Sequence, residues 1–255
     1  MPKPLTIGIA ACSSEGAALC YRTICSRAPQ FLGAHAHPDI VLHSSSLAEY
    51  VDALERDDLP GVAQLMLHSA HRLAAAGADF VICPDNTIHA AFALMRDASP
   101  LPWLHIAEVI AAEAKRRGVK QAAILGTEWL MAGDVYPSVL NKFDIRHQVP
   151  KSSERDEIGR IIMDELVNGI QKPASVQYLQ DVIARMKERG CDAVVLGCTE
   201  LPIVLGDANS ALPTLDSTRL LADAALQHAI SHCNSMSAAQ PGATPMPSDR
   251  WPRMT

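Results

Sequence analysis

Four unbroken apolar runs, each closed by small or polar residues, set the rhythm of the chain: LTIGIAAC at 5–12, DFVICPD at 79–85, QAAILGT at 121–127 and CDAVVLGCTE at 191–200. Runs without polar alternation are what strands buried on both faces require, as in a parallel sheet. Between them, apolar residues recur at helical spacing. Val62, Leu65, Met66 and Leu73 share one face of a segment that stops at Gly77, and IAEVIAAEAKRRG ends in a basic turn before Gly118. Further strands are expected at 37–46, around 102–106, in IRHQVP and at 212–217. Helices are expected at about 14–28 and over TIHAAFALMRDA, DEIGRIIMDELVNGI, ASVQYLQDVIARMKERG and TRLLADAALQHAI, and EWLMAGDVYPSVLNKF is expected to be loop and helix. Strand and helix alternate throughout, which predicts the α/β class.

The pattern also repeats. GADFVICPDNTIH at 77–89 and GCDAVVLGCTELP at 190–202 align from their glycines, and Asp85 then falls opposite Cys198. The expected architecture is two pseudo-symmetric domains, each a mainly parallel sheet flanked by helices, with the site between them. The halves are 1–100 and 101–215, with a last helix at 216–231 returning to the first half. Residues 234–255 lose periodicity and gain Pro and Ser, so they are expected to be a disordered tail.

Composition narrows the function. The 255 residues are 48% hydrophobic and 20% charged, with a net charge of −6. That balance argues against a nucleic-acid partner, which needs a basic patch. No window reaches the ~18 consecutive apolar residues of a membrane span. The N-terminal apolar run is too short for a persuasive signal peptide. The 7 cysteines are scattered and contain no C-x-x-C pair, so reduced thiols in a cytoplasmic setting are expected rather than disulfides or zinc. No nucleotide, metal or pyridoxal-phosphate motif is present, and no cofactor is expected.

Candidate chemistry gathers at the strand ends, where open parallel sheets bind ligands. Cys198 follows Gly197 and precedes Thr199 and Glu200. Asp85 precedes Asn86 and Thr87, residues that also serve as ordinary helix caps. Two tips facing one ligand could remove a proton from one side of a carbon and return it on the other. Ser13, Ser14, Thr87, Thr127 and Thr199 all follow predicted strands, and their hydroxyls suit a carboxylate. Glu200 and His89 are possible acid/base helpers, and Arg22 and Arg219 are possible clamps for an acidic side chain. Cys83 reads as packing.

LGCTELP around Cys198, DNTIH at 85–89, LHIAEVIAAEAKRRGVKQAAILGT at 104–127, DELVNGI at 164–170 and DSTRLLADAA at 216–225 together resemble the aspartate/glutamate racemase family, over about residues 6–231. The resemblance implies two pseudo-symmetric α/β domains, cofactor-independent racemisation by two opposed residues, usually cysteines, and frequently a homodimer. It implies Cys198 as one catalytic residue and Asn86, Thr87, Thr127 and Thr199 as substrate-holding positions. The other catalytic position is Asp85, a departure from the family pattern. The loop Ala10-Ala11-Cys12-Ser13 departs too. The expected activity is racemisation of an acidic amino acid, aspartate or glutamate. The alternatives are a single-cysteine decarboxylase or cis–trans isomerase of a small carboxylic acid, or a non-catalytic amino-acid-binding relative.

Overall fold

The computed structural model describes residues 3–238. Eight strands fall into two four-stranded sheets, and every strand pairing is parallel. The first holds β1 (Ile7–Ala11), β2 (Ile40–Ser44), β3 (Phe80–Ile82) and β4 (Trp103–Leu104), in the order β2-β1-β3-β4. The second holds β5 (Gln121–Leu125), β6 (Arg146–Gln148), β7 (Ala193–Leu196) and β8 (Thr214–Asp216), in the order β6-β5-β7-β8. Both sheets thus have the same topology. The central strands β1, β3, β5 and β7 are buried along their whole length, as their unbroken apolar runs predict. In each sheet the order reverses beside the first strand, so the loops after β1 and β3, and after β5 and β7, flank a switch point.

The last helix, Ser217–Ala238, packs against helices Ser14–Arg27 and Ile106–Arg116. Its Leu221, Ala222, Ala225, Leu226 and Ala229 share a core with Ile7, Ile9 and Phe80 of the first sheet. The helix runs through 234–238, where an unstructured tail was expected; residues 239–255 lie outside the described part.

Three differences from the periodic reading bear on the site. The chain after Asp85 is not one helix but a 3₁₀ segment, Thr87–Ala91, a helical turn, Phe92–Met95, and a second 3₁₀ turn, Arg96–Ala98. The cause is local. The Asp85 carbonyl, which an α-helix would pair with the His89 N–H, accepts instead from the His89 ring Nδ1 at 2.6 Å, and the His89 N–H turns to Asn86 O at 3.3 Å.

The second difference lies in DEIGRIIMDELVNGI. The helix Ser152–Arg160 widens into a π-turn, Ile161–Glu165, tightens to 3₁₀ at Leu166–Asn168 and stops at left-handed Gly169. Glu165 anchors the widened turn. Its buried carboxylate accepts from Ser175 (2.6 Å), Arg160 (2.8 Å) and Lys172 (3.3 Å). These partners, Ser175 first, hold its pKa down to about 2.

The third is a helix the periodic reading passed over, Leu47–Glu55. Its start carries a capping box, Ser46 with Glu49, and its Leu47, Tyr50, Val51 and Leu54 follow the spacing of one helical face.

Candidate active site

One crevice receives the loops from all four central strands. It is lined by Cys12 and Ser13 after β1, Asp85 and Thr87 after β3, Thr127 after β5, and Cys198, Thr199 and Glu200 after β7. The two tips aligned by the repeat therefore open onto the same space.

Hydroxyl pairs tie the two halves together across this space. Ser13 Oγ accepts from Gly16 N–H and so caps the first helix. Thr127 Oγ1 caps its own helix by accepting from Leu130 N–H. Each also reaches the opposite half: Ser13 Oγ lies 3.2 Å from Thr199 Oγ1, and Thr127 Oγ1 lies 2.9 Å from Thr87 Oγ1. The capping role and the site role thus belong to the same atoms. Thr199 Oγ1 donates onward to Glu200 Oε2 at 2.7 Å, and Cys198 Sγ donates to that same oxygen at 2.9 Å.

Burial dominates the electrostatics. It raises the Asp85 pKa above the usual carboxylate value, helped by the Glu200 charge and opposed by the N–H groups of Ile88 and Thr87. Burial also pushes the Cys198 thiol well up, and the Glu200 carboxylate pushes it further. Glu200→Gln removes that charge, so the pH midpoint of Cys198 alkylation by iodoacetamide, followed by peptide mass spectrometry, is expected to move to lower pH. An unchanged or higher midpoint would show that the Glu200 charge does not hold this proton.

Not all predicted residues enter the crevice. Asn86 is buried behind it, accepting from Tyr136 OH at 2.6 Å and donating to Ser217 Oγ at 3.0 Å; Ser217 in turn donates to Leu196 O. The amide thereby fastens the Asp85 loop to β7 and the last helix. Ser14 is exposed on the first turn of its helix. His89 holds the Asp85 carbonyl from behind, and burial lowers its pKa to about 3, which keeps it neutral. Neither Arg22 nor Arg219 lines the crevice, and Arg219 is ion-paired with Asp216.

The walls come from elements the periodic reading did not connect to the site. Leu47, Tyr50, Val51 and Leu54 come from the capped helix, and Ile162, Met163 and Val167 from the π-turn and its continuation. Trp129 adds an aromatic edge. The S-x-x-E box at 46–49 was a legible signal for the first group. The π-turn left none.

No helix among the described residues is long and apolar enough to cross a membrane. Comparison with known proteins agrees with this architecture. The broad-specificity amino-acid racemase RacX of Bacillus subtilis is 26% identical over 190 residues, spanning 73% of this chain and 79% of that protein. The structure of a candidate Asp/Glu racemase from Yersinia pestis superposes with a TM-score of 0.81 at 29% identity, covering 89% of this chain and 99% of the other. An aspartate racemase homologue from Pyrococcus horikoshii superposes with a TM-score of 0.76 at 25% identity, covering 90% and 100%. The Asp/Glu/Hydantoin racemase family profile matches residues 9–225, a span that takes in both sheets and all four loops of the crevice. With its twin parallel sheets and paired tips, this chain belongs to the Asp/Glu/Hydantoin racemase family and is an isomerase.

Proposed function

We propose that the protein is a cofactor-independent racemase that removes a hydrogen from the Cα of an amino acid on one face and returns it on the other. One observation carries this reading: Asp85 and Cys198, from the switch points of two like sheets, line a single crevice. The hydroxyls of Ser13, Thr87, Thr127 and Thr199, with the loop N–H groups, suit the substrate α-carboxylate and the charge that develops on it when the Cα–H bond breaks. On the C-terminal side Cys198 is the acid/base group, with Glu200 as its proton partner. On the N-terminal side Asp85, its pKa raised by burial, is better matched to proton transfer near neutrality than a free carboxylate.

The acidic substrate expected from the sequence is poorly supported by the walls. No Lys or Arg is among the lining residues, and the charged groups there are two carboxylates, Asp85 and Glu200. An acidic side chain would add another negative charge to a desolvated space. The aliphatic and aromatic wall instead suits an apolar side chain, and the broad specificity named for the Bacillus relative is compatible with that choice.

Incubation in D2O with leucine, methionine, phenylalanine, aspartate, glutamate and a 5-substituted hydantoin, read by NMR and chiral chromatography, tests both parts. An apolar amino acid is expected to gain deuterium at Cα and yield both enantiomers, with kcat/KM at least about tenfold above aspartate, a difference of ~1.4 kcal/mol. If nothing on the panel exchanges its α-hydrogen, the racemase reading is lost. If aspartate or glutamate is preferred, the side-chain assignment is lost.

A further inference from the structure

Two thiols and two carboxylates line the crevice, and the reading above uses only one of the thiols. The second is Cys12. The register of β1 against β3 ends with Ile9 beside Ile82; continued by three places, it sets Cys12 beside Asp85. Both residues line the same crevice. The Cys12 S–H stabilises the charged form of Asp85, while burial and then the Asp85 charge push the Cys12 thiol up. Cys83, closer to Asp85 in sequence, is fully buried in the core and does not line the crevice.

The opposite tip has the same pair of functional groups, for there Cys198 Sγ donates to Glu200 Oε2 at 2.9 Å. The strands that carry the thiols differ. In the second half the thiol sits after β7, and the register continued past Leu125 and Leu196 puts Thr127 beside it. In the first half the thiol sits after β1 and the carboxylate after β3. A comparison of tips along the sequence therefore sets a carboxylate against a thiol, whereas comparison in space sets one thiol–carboxylate pair against another.

Building on the proposed racemisation, we propose that Cys12 is a catalytic residue, the thiol that exchanges a proton with Cα on the N-terminal face, and that Asp85 is the positioning residue that takes the Cys12 proton. In one direction the Cys12 proton moves to an Asp85 oxygen, leaving a thiolate. The Cα–H bond breaks, its proton goes to Cys12 Sγ, and its electron pair spreads into the substrate carboxyl group. The Cys198 thiol then gives its proton to the opposite face of Cα as that pair returns to carbon. Proton return from Asp85 to solvent, and from solvent to the Cys198 thiolate, restores the starting state. The reverse direction exchanges the two pairs. Thiols on both faces give acids of similar strength on either side of the intermediate.

The test compares Cys12→Ala, Cys12→Ser and Asp85→Asn with the wild type, using both enantiomers of the panel member that the wild type turns over fastest. Cys12→Ala is expected to lose racemisation by about 10²–10⁴-fold. It should retain α-deuterium exchange for one enantiomer only, the one whose hydrogen faces Cys198. A merely structural role would lower both enantiomers together. In a Cys198→Ala background, Asp85→Asn is expected to shift the pH midpoint of Cys12 alkylation downward, because the charge that raises the thiol is gone. If wild type racemises and Cys12→Ala does so within a few-fold, or exchanges both enantiomers alike, Asp85 acts directly and the Cys12 role is overturned. A Cys12 midpoint that Asp85→Asn leaves unmoved overturns the pairing. A wild type that exchanges no panel member overturns both the racemase reading and this one.

Discussion

Cys198→Ala is expected to abolish racemisation, with a loss of about 10²–10⁴-fold, the usual contribution of a positioned acid/base group. The change is small in volume at a site with 8% exposure, so the fold should persist and circular dichroism should be unchanged. The pattern of residual exchange is more informative than the loss itself. In a two-base enzyme the N-terminal tip can still take a proton from the enantiomer that presents its hydrogen there and give a deuteron back to the same face. Exchange without inversion should therefore survive for that enantiomer and vanish for its mirror image. In an enzyme that works through one thiol, exchange should vanish for both. Racemisation at the wild-type rate in Cys198→Ala would remove this residue from the mechanism.

The second large effect is expected at a residue that touches no substrate. Gly16 lies in the first turn of the first helix, buried between the two tips. A Cβ there would come within 2.5 Å of Thr199 Cγ2 and 2.7 Å of the Pro84 carbonyl oxygen. Thr199 adjoins Cys198 and Pro84 adjoins Asp85, so one added methyl group presses on both reacting positions. The carbonyl belongs to backbone and yields at a cost. Gly16→Ala is expected to lose about 1–3 kcal/mol of stability, as overpacking generally does. Turnover should fall by about 10²-fold, on the scale of a misplacement of ~1 Å. Thermal denaturation and kcat measure the two effects. Ser14→Ala, at an exposed position two residues away, should change stability by no more than about 0.5 kcal/mol. Wild-type turnover in Gly16→Ala would mean that the tips can shift without consequence.

Much of the fold is legible in the chain because burial on both faces leaves a one-dimensional trace. The apolar runs around Ile9, Val81, Ile124 and Val195 each become a central strand. The polar residues that end them become the loops of the crevice. What stays hidden is whatever depends on contacts between distant segments. Asp85 looked like a lone carboxylate because its neighbour Cys12 comes from β1, and strand register, not sequence spacing, brings them together. The π-turn has no periodic signature, since it depends on Glu165 finding Ser175 and Lys172. His89 was legible as a histidine near the tip but not as the group that captures the Asp85 carbonyl and keeps the following segment in 3₁₀ form. The missed helix Leu47–Glu55 is a different case, since its capping box and apolar face were both visible in the chain.

The last helix has a consequence for the order in which the molecule is made. The clusters that bury the second sheet draw their buried residues from between Ala107 and Leu215. The cluster over one face of the first sheet also needs Leu221, Ala222, Ala225, Leu226 and Ala229. During synthesis the first half therefore leaves the ribosome early yet cannot be sealed until Ala229 has emerged. The second half, made later, has its cover in hand sooner. A nascent chain that stops short of Leu221 lacks the part of this cover that the last helix supplies and exposes apolar surface of the kind chaperones and proteases recognise. The first half thus depends for its core on a helix made only after the second sheet.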